Sequence, residues 1–290
     1  MRIRNVHDRD AAALLAIHQQ ITPHRHHTAR EIRSLLDAAA FAQVAEVNGQ
    51  VVGYAAALPV PGLADVADLT GMVAPAHQRR GIGRALLKAL VDGLRPQRIH
   101  QLTFSLPDIH SPVALFLLSH GFTLHHEEWE LVRDGGSPTA APNWPPDFTL
   151  RQLTRDAAAT TFRRLYDASF GPHPWYQPYT DSELFNLFPR QGLPRFLFRG
   201  DEPIGFFWCW PSAKDQGVIE PVGVAAAYQG QGLGRQLVLA ALRELERRAV
   251  SQVKIGAWRE NAAAIHLYQS LGFHHTHTIT HLQKVLSGED

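Results

Sequence analysis

The chain repeats itself. Gln78-Arg79-Arg80-Gly81-Ile82-Gly83-Arg84 returns 151 residues later as Gln229-Gly230-Gln231-Gly232-Leu233-Gly234-Arg235, and a fixed internal period marks a structural unit used more than once. Gly121-Phe122 and Gly272-Phe273 keep the same offset of 151, so no net insertion separates the glycine loop from the Gly-Phe pair in either copy. Towards the start of each copy, Arg4-Asn5-Val6 matches Arg151-Gln152-Leu153 at an offset of 147, and Arg9-Asp10-Ala11-Ala12-Ala13 matches Arg155-Asp156-Ala157-Ala158-Ala159 at an offset of 146. Between the copies, Asp134-Gly135-Gly136-Ser137-Pro138 leads to Pro142, Pro145 and Pro146, a composition that forbids regular structure. The expected organisation is a first domain over 1–138, a linker over 139–147 and a second domain over 148–290, each large enough for its own core.

The pattern within each copy predicts strand, helix, a strand hairpin, a further strand, the glycine loop opening a helix, strand, helix and closing strand. The hairpins are marked by Val47-Asn48-Gly49-Gln50-Val51 and by Phe198-Arg199-Gly200-Asp201-Glu202, apolar runs joined by turn residues. In the second copy the later elements are expected at Val218 to Val224 (strand), Gln236 to Arg248 (helix), Val253 to Trp258 (strand), Ala262 to Leu271 (helix) and Phe273 to Val285 (strand). This is an α+β plan with one parallel strand pair joined by a crossover helix, and a ligand is expected at the carboxyl end of that pair.

The loop itself has the chemistry of a phosphate cradle. Glycines allow a tight turn with N–H groups on its concave side, and the helix start adds free donors and the positive end of a dipole. Gly232-x-Gly234-x-x-Leu237 lacks the third glycine of a dinucleotide fingerprint, and the Gly-x-x-x-x-Gly-Lys-Ser/Thr loop is absent from the sequence. Composition narrows the partners. Hydrophobic content of 45% with 19% charged residues is that of a globular chain, and a formal net charge of +1 gives no general pull towards nucleic acid or a membrane surface. A secretory signal is not expected, and a lone Cys209 excludes an intrachain disulfide. A cytoplasmic monomer or homodimer acting on small molecules is the expectation.

Val222-Gly223-Val224 before the Gln-x-x-Gly-x-Gly loop, then Asn261-Ala262-Ala263-Ala264, Tyr268 and Leu271-Gly272-Phe273, together resemble the GCN5-related N-acetyltransferase (GNAT) family, and the resemblance covers both copies. It implies tandem domains, each a mixed, mostly antiparallel sheet with a central splayed parallel pair flanked by helices. It also implies acetyl-CoA as co-substrate, no metal, and direct transfer to a small-molecule primary amine. Its pyrophosphate would lie on Gln229, Gly230, Gln231, Gly232, Leu233, Gly234 and Arg235, with Val222, Val224 and Asn261 along the pantetheine arm. In the first copy the corresponding residues are Val73, Arg79, Arg80, Gly81, Ile82, Gly83 and Arg84. The arginines suit phosphate pairing but equally suit a solvated helix start. The two-domain plan is also similar to that of the mycothiol synthases, which acetylate a cysteinyl amine; a non-catalytic acyl-CoA-binding protein is the alternative from another class.

The resemblance assigns Tyr268 as the acid for the leaving thiolate. A phenol near pKa 10 stays protonated at neutral pH, although Ile265, Tyr268 and Leu271 also have the spacing of a core stripe. Asn261 is a sound N-cap whatever else it touches. Glu220 is the candidate base, on the argument that 220, 222 and 224 share a side of their strand, but the family commonly has its base at the position of Val218. The first copy has Leu117 for Tyr268, Leu69 for Glu220 and His110 for Asn261, with Ser111-Pro112 taking over the cap. Chemistry is therefore expected in the second copy. His24-x-His26-His27 completes no recognisable metal spacing, His274, His275 and His277 are expected on an exposed strand, Cys209 in the core, and Trp175, Tyr176, Tyr179, Phe185 and Phe188 near the acceptor.

Overall fold

A computed structural model describes residues 1–136, 139–173, 176–212 and 215–286. The chain runs β1 (Arg2–Asn5), α1 (Ala11–Ile21), α2 (Ala29–Ala38), β2 (Phe41–Val47), β3 (Gln50–Pro59), β4 (Val66–Val73), α3 (Ile82–Leu94), β5 (Gln101–Leu106), α4 (Pro112–Leu118) and β6 (Thr123–Asp134). The order recurs as β7 (Phe148–Arg151), α5 (Arg155–Phe170), α6 (Asp181–Gln191), β8 (Arg195–Arg199), β9 (Glu202–Pro211), β10 (Gln216–Val224), α7 (Leu233–Glu246), β11 (Gln252–Trp258), α8 (Ala262–Ser270) and β12 (His274–Val285). The α+β plan and the two parallel pairs, β4 with β5 and β10 with β11, are as expected.

The compact units do not follow the Pro/Gly-rich stretch. One comprises Met1–His125 with the described residues from His281 onward; the other is His126–Thr280. Strands are exchanged: β6, encoded before the linker, pairs antiparallel with β11 in the second unit, Glu130 opposite Gly256 and Glu128 opposite Trp258. The end of β12, encoded last, lies beside β5 in the first unit, where Leu282 and Leu286 join the core. Composition could mark the Pro/Gly-rich stretch but not which strand each unit would take up.

The second unit orders its strands β6-β11-β10-β9-β8-β7. On one face α7 and α8 pack Leu233, Leu237, Val238, Ala241, Leu242 and Leu245 with Ile265 and Tyr268 against Ile219, Ile255 and Ala257. On the other, α5 and α6 bury Phe162, Leu165, Tyr166, Leu184 and Phe188 against Phe196, Phe206 and Trp208. Helix α7 begins three residues before the expected Gln236 because Gly232, at φ +78°, serves as its left-handed cap. α6 has a full capping box, Thr180 with Glu183. The first unit repeats this layering: α3 and α4 cover one face, α1 and α2 the other.

Candidate active site

The site is made by strands that part. β10 and β11 are paired only from Gln216 with Gln252 to Ile219 with Ile255, yet β10 runs on to Val224 and β11 to Trp258. The backbone edges beyond Ile219 and Ile255 therefore open a gap at the carboxyl end of the pair, where the topology places a ligand. β4 and β5 part in the same way after Asp68 and Thr103.

Past the gap lies the glycine loop. Gln229 Nε2 donates to the Val224 carbonyl at 2.9 Å, and Gln78 Nε2 donates to the Val73 carbonyl at 2.9 Å, so each glutamine ties its loop back to its strand. Gly230 and Gly232 have φ of +74° and +78°, and a Cβ on either would meet nothing within 4 Å. Among the described residues, the N–H groups of 230–235 donate no backbone hydrogen bond, and the first helical one is Gln236 N to Gly232 O at 3.3 Å. A row of free donors facing open space at a helix start fits a polyanion such as a pyrophosphate. In the first unit Gly81 keeps the cap at φ +78°, but Arg79 takes the place of Gly230 at φ +59°, a left-handed conformation costing about 1 kcal/mol for a side-chain-bearing residue. Arg235 Nη1 donates to Ser270 Oγ at 2.7 Å, which fixes the guanidinium over the junction of α7 and α8.

Glu220 lies in a β-bulge. Ile219 opposes Cys209 and Val222 opposes Phe207, so that Glu220 and Pro221 on β10 stand against Trp208 alone on β9. This corrects the alternation argument: the extra residue puts Val222 and Val224 with Ile219 on the α7–α8 face, and Glu220 does not share their side. Its side chain is reached by solvent yet is enclosed by protein over a longer range, as on a cleft floor. That enclosure, then the charges of Glu128 and Glu130, raises its pKa from the ordinary carboxylate value to about 7. Glu220 in turn acts on tyrosines from both layers. Tyr268 is buried in the α7–α8 core, and its hydroxyl is held well above the usual phenol range by burial and then by Glu220. Tyr166 and Tyr179 are raised by burial first, with Glu220 among the further causes.

Asn261 caps α8, its Oδ1 accepting from Ala264 N at 3.1 Å, and Ser111 caps α4 likewise at 3.2 Å. Leu117 stands buried where α8 has Tyr268, and Asp68 is turned to Thr103, whose Oγ1 donates to it at 2.5 Å. The first unit thus has neither a carboxylate nor a phenol at the two positions.

Other candidates resolve as follows. His24 and His26 are exposed loop residues, and no group of three metal-ligating side chains occurs among the described residues. His274, His275 and His277 are exposed, Cys209 is buried with its thiol pushed up to about 12 by burial, and Phe185 is exposed. Tyr176 donates to Asp167 Oδ1 at 2.7 Å and packs by Tyr166; Trp175 lies outside the described residues. A cavity of about 800 Å³ lies away from this chemistry, in the first unit, against Arg4, Asp10 and Glu46, where Arg4 is already bonded to both carboxylates. Sequence reasoning placed Tyr179 near the acceptor but missed Tyr166, Glu128 and Glu130. The acidic run Glu127-Glu128-Trp129-Glu130 was visible, but its neighbour β11 lies more than a hundred residues on, and nothing local announces that pairing.

The acetyltransferase (GNAT) family model matches residues 11–122 and again 159–273. Mycothiol acetyltransferase of Thermomonospora curvata is 32% identical, covering 78% of this chain and 76% of its own length; that of Nocardia farcinica is 31% identical, covering 81% and 79%. A GCN5-related N-acetyltransferase from Sphaerobacter thermophilus shares the fold at a TM-score of 0.68 and 20% identity over 100% of this chain and 96% of that one. A tandem GNAT protein from the clavulanic acid biosynthesis pathway does so at 0.66 and 20%, over 100% and 99%.

Proposed function

Since the chain belongs to the acetyltransferase (GNAT) family, we propose that its second unit catalyses direct acetyl transfer to the primary amine of a small molecule, with Glu220 as base and Tyr268 as acid. Acetyl-CoA would supply the acetyl group as an activated thioester. The donor row from Gln229 to Arg235 would hold its phosphates, with Val222, Val224 and Asn261 beside its arm. In the first unit Val73, Arg79, Arg80, Gly81, Ile82, Gly83 and Arg84 offer a second cradle without an acid or base beside it.

An amine reaches the site as an ammonium and must lose a proton before it attacks. A carboxylate with a pKa of about 7 is substantially ionised at neutral pH and is basic enough to take that proton. The two groups are coupled: when Glu220 becomes neutral, the negative charge that holds the Tyr268 proton is gone. Tyr268 is then the better donor to the departing sulfur. The observation that carries the reading is geometric: β10 and β11 part after Ile219 and Ile255, the β10 bulge sets Glu220 at that opening, and the donor row of the glycine loop follows β10.

The test is an acetyl-CoA-consumption screen over small amines, aminoglycosides, amino acids and peptides. Turnover no greater than that of Tyr268→Phe with every class would sink the proposal. A second reading follows from the mycothiol acetyltransferases, similar along most of both chains: the acceptor is the amine of a cysteinyl pseudo-disaccharide. Including that compound and its cysteine-free parent in the screen decides it, since only the first should be consumed.

A further inference from the structure

Gly256 is the first residue of β11 beyond the last paired position, as Glu220 is of β10. It leaves the gap without a side chain on that strand, and the space is used from the neighbouring strand. The Oε1 of Glu128 lies 3.5 Å from where a Cβ on Gly256 would stand. Glu128 and Glu130 have the same parity on β6, opposite Trp258 and Gly256, whereas Trp129 and Leu131 between them pack into the α7–α8 core. The two carboxylates therefore point to the α5–α6 side, the side of Tyr166 and Tyr179. Glu128 is half-buried.

We propose that Glu128 is a positioning residue for acetyl transfer, its carboxylate reaching across Gly256 to form, with Glu220, a two-carboxylate mouth to the gap that receives the acceptor's ammonium. The inference rests on the reading of Glu220 as base. Beyond its enclosure by protein, a negative charge on Glu128 disfavours the ionised form of Glu220 until a cation enters the opening. An incoming ammonium relieves that repulsion and gives one proton to Glu220; the neutral amine then attacks, the N–C bond forms and the C–S bond breaks, Tyr268 protonates the departing thiolate, and the second nitrogen proton restores Tyr268.

The other groups around Glu220 do not replace this role. Tyr166, Tyr179 and Tyr268 are neutral at working pH because burial raises them. Glu130 stands opposite Gly256 on β6 but turns to Lys254 at 3.0 Å, whereas the carboxylate that lies over Gly256 is that of Glu128. Of the charges that raise Glu220, Glu128 ranks before Glu130.

The experiment uses the full chain with 13C-labelled glutamate carboxyls, the Glu220 resonance being assigned by its loss in Glu220→Gln, and needs no acceptor. Wild type should titrate near 7; in Glu128→Gln the midpoint should fall by about one unit, and Glu128→Asp, which keeps the charge on a shorter arm, should recover part of the shift. A Glu220 midpoint unmoved in Glu128→Gln, with the thermal transition intact, would overturn the proposal. Failure of the base reading is separate: a turnover profile that keeps its acid limb in Glu220→Gln would remove Glu220 as base and leave the measured carboxylate coupling standing. Should Glu128→Gln not fold, an unmoved midpoint in Glu128→Asp together with one unmoved in Gly256→Val, where the branched side chain occupies the carboxylate's place, overturns it equally.

Discussion

Ile219 and Ile255 are the last residues that β10 and β11 share, and the strands then differ in what they place at the opening: Glu220 on one, Gly256 on the other. A bulge on β10 supplies the carboxylate, and the absence of a side chain on β11 supplies the room. The reactive end of the gap is in this sense asymmetric by construction, with its charge on β10 and β6.

Glu220→Gln should lower kcat/KM by about 10²- to 10⁴-fold, the range for loss of a general base, and erase the acid limb of the pH profile near 7. The same raised value has a stability consequence of opposite sense. Protonated Glu220 is favoured by the fold, so its contribution is present below the ordinary value of 4.5 and is lost as pH rises through about 7. Thermal melting at pH 8 should accordingly show Glu220→Gln more stable than wild type, with no such gain at pH 4.

Tyr268→Phe keeps the ring that packs near Phe273, at 6.0 Å between centroids, and removes only the donor. Turnover should drop about 10²-fold or more while acetyl-CoA affinity, measured by calorimetry, changes little. Equal loss in both would make Tyr268 a packing residue.

The two glycine loops can be told apart by paired substitutions. Gly232→Val and Gly81→Val impose the same left-handed strain, about 1–2 kcal/mol for a β-branched side chain, at caps with φ +78° in both units. Raised KM for acetyl-CoA from Gly232→Val alone is the expected outcome, because only that loop adjoins an acid and a base. An equal rise from Gly81→Val would assign turnover to both units.

Acid should weaken the first unit through His18. This side chain is 6% exposed, its Nε2 shares a hydrogen bond with Tyr54 Oη at 2.7 Å, and Nδ1 is buried without a partner among the described residues. Burial, and then His27, lowers its pKa below the ordinary 6.5. The stability it contributes is present above 6.5 and is lost as pH falls through the lowered value. Urea unfolding between pH 7 and 5 should show this loss in wild type and a flatter dependence in His18→Phe.

Much of this was legible in the sequence, because the repeat displays its own alignment. Gly81 and Gly232 fall where a left-handed cap is needed, Asn261 and Ser111 where a helix begins, and Tyr268 stands where the first copy has Leu117. The surroundings of Glu220 were not legible. Alternation put it beside Val222 and Val224, and a single inserted residue in the β10 ladder defeats any period-two argument. Glu128 is set by long-range pairing, which no local pattern encodes.

The exchanged strands bear on why a disarmed repeat would persist. With β6 seated in the second unit and the end of β12 in the first, neither repeat carries all the strands of its own unit: deleting the first would remove β6, and with it Glu128 and the partner of β11. The first repeat therefore needs no chemistry of its own to be kept by selection.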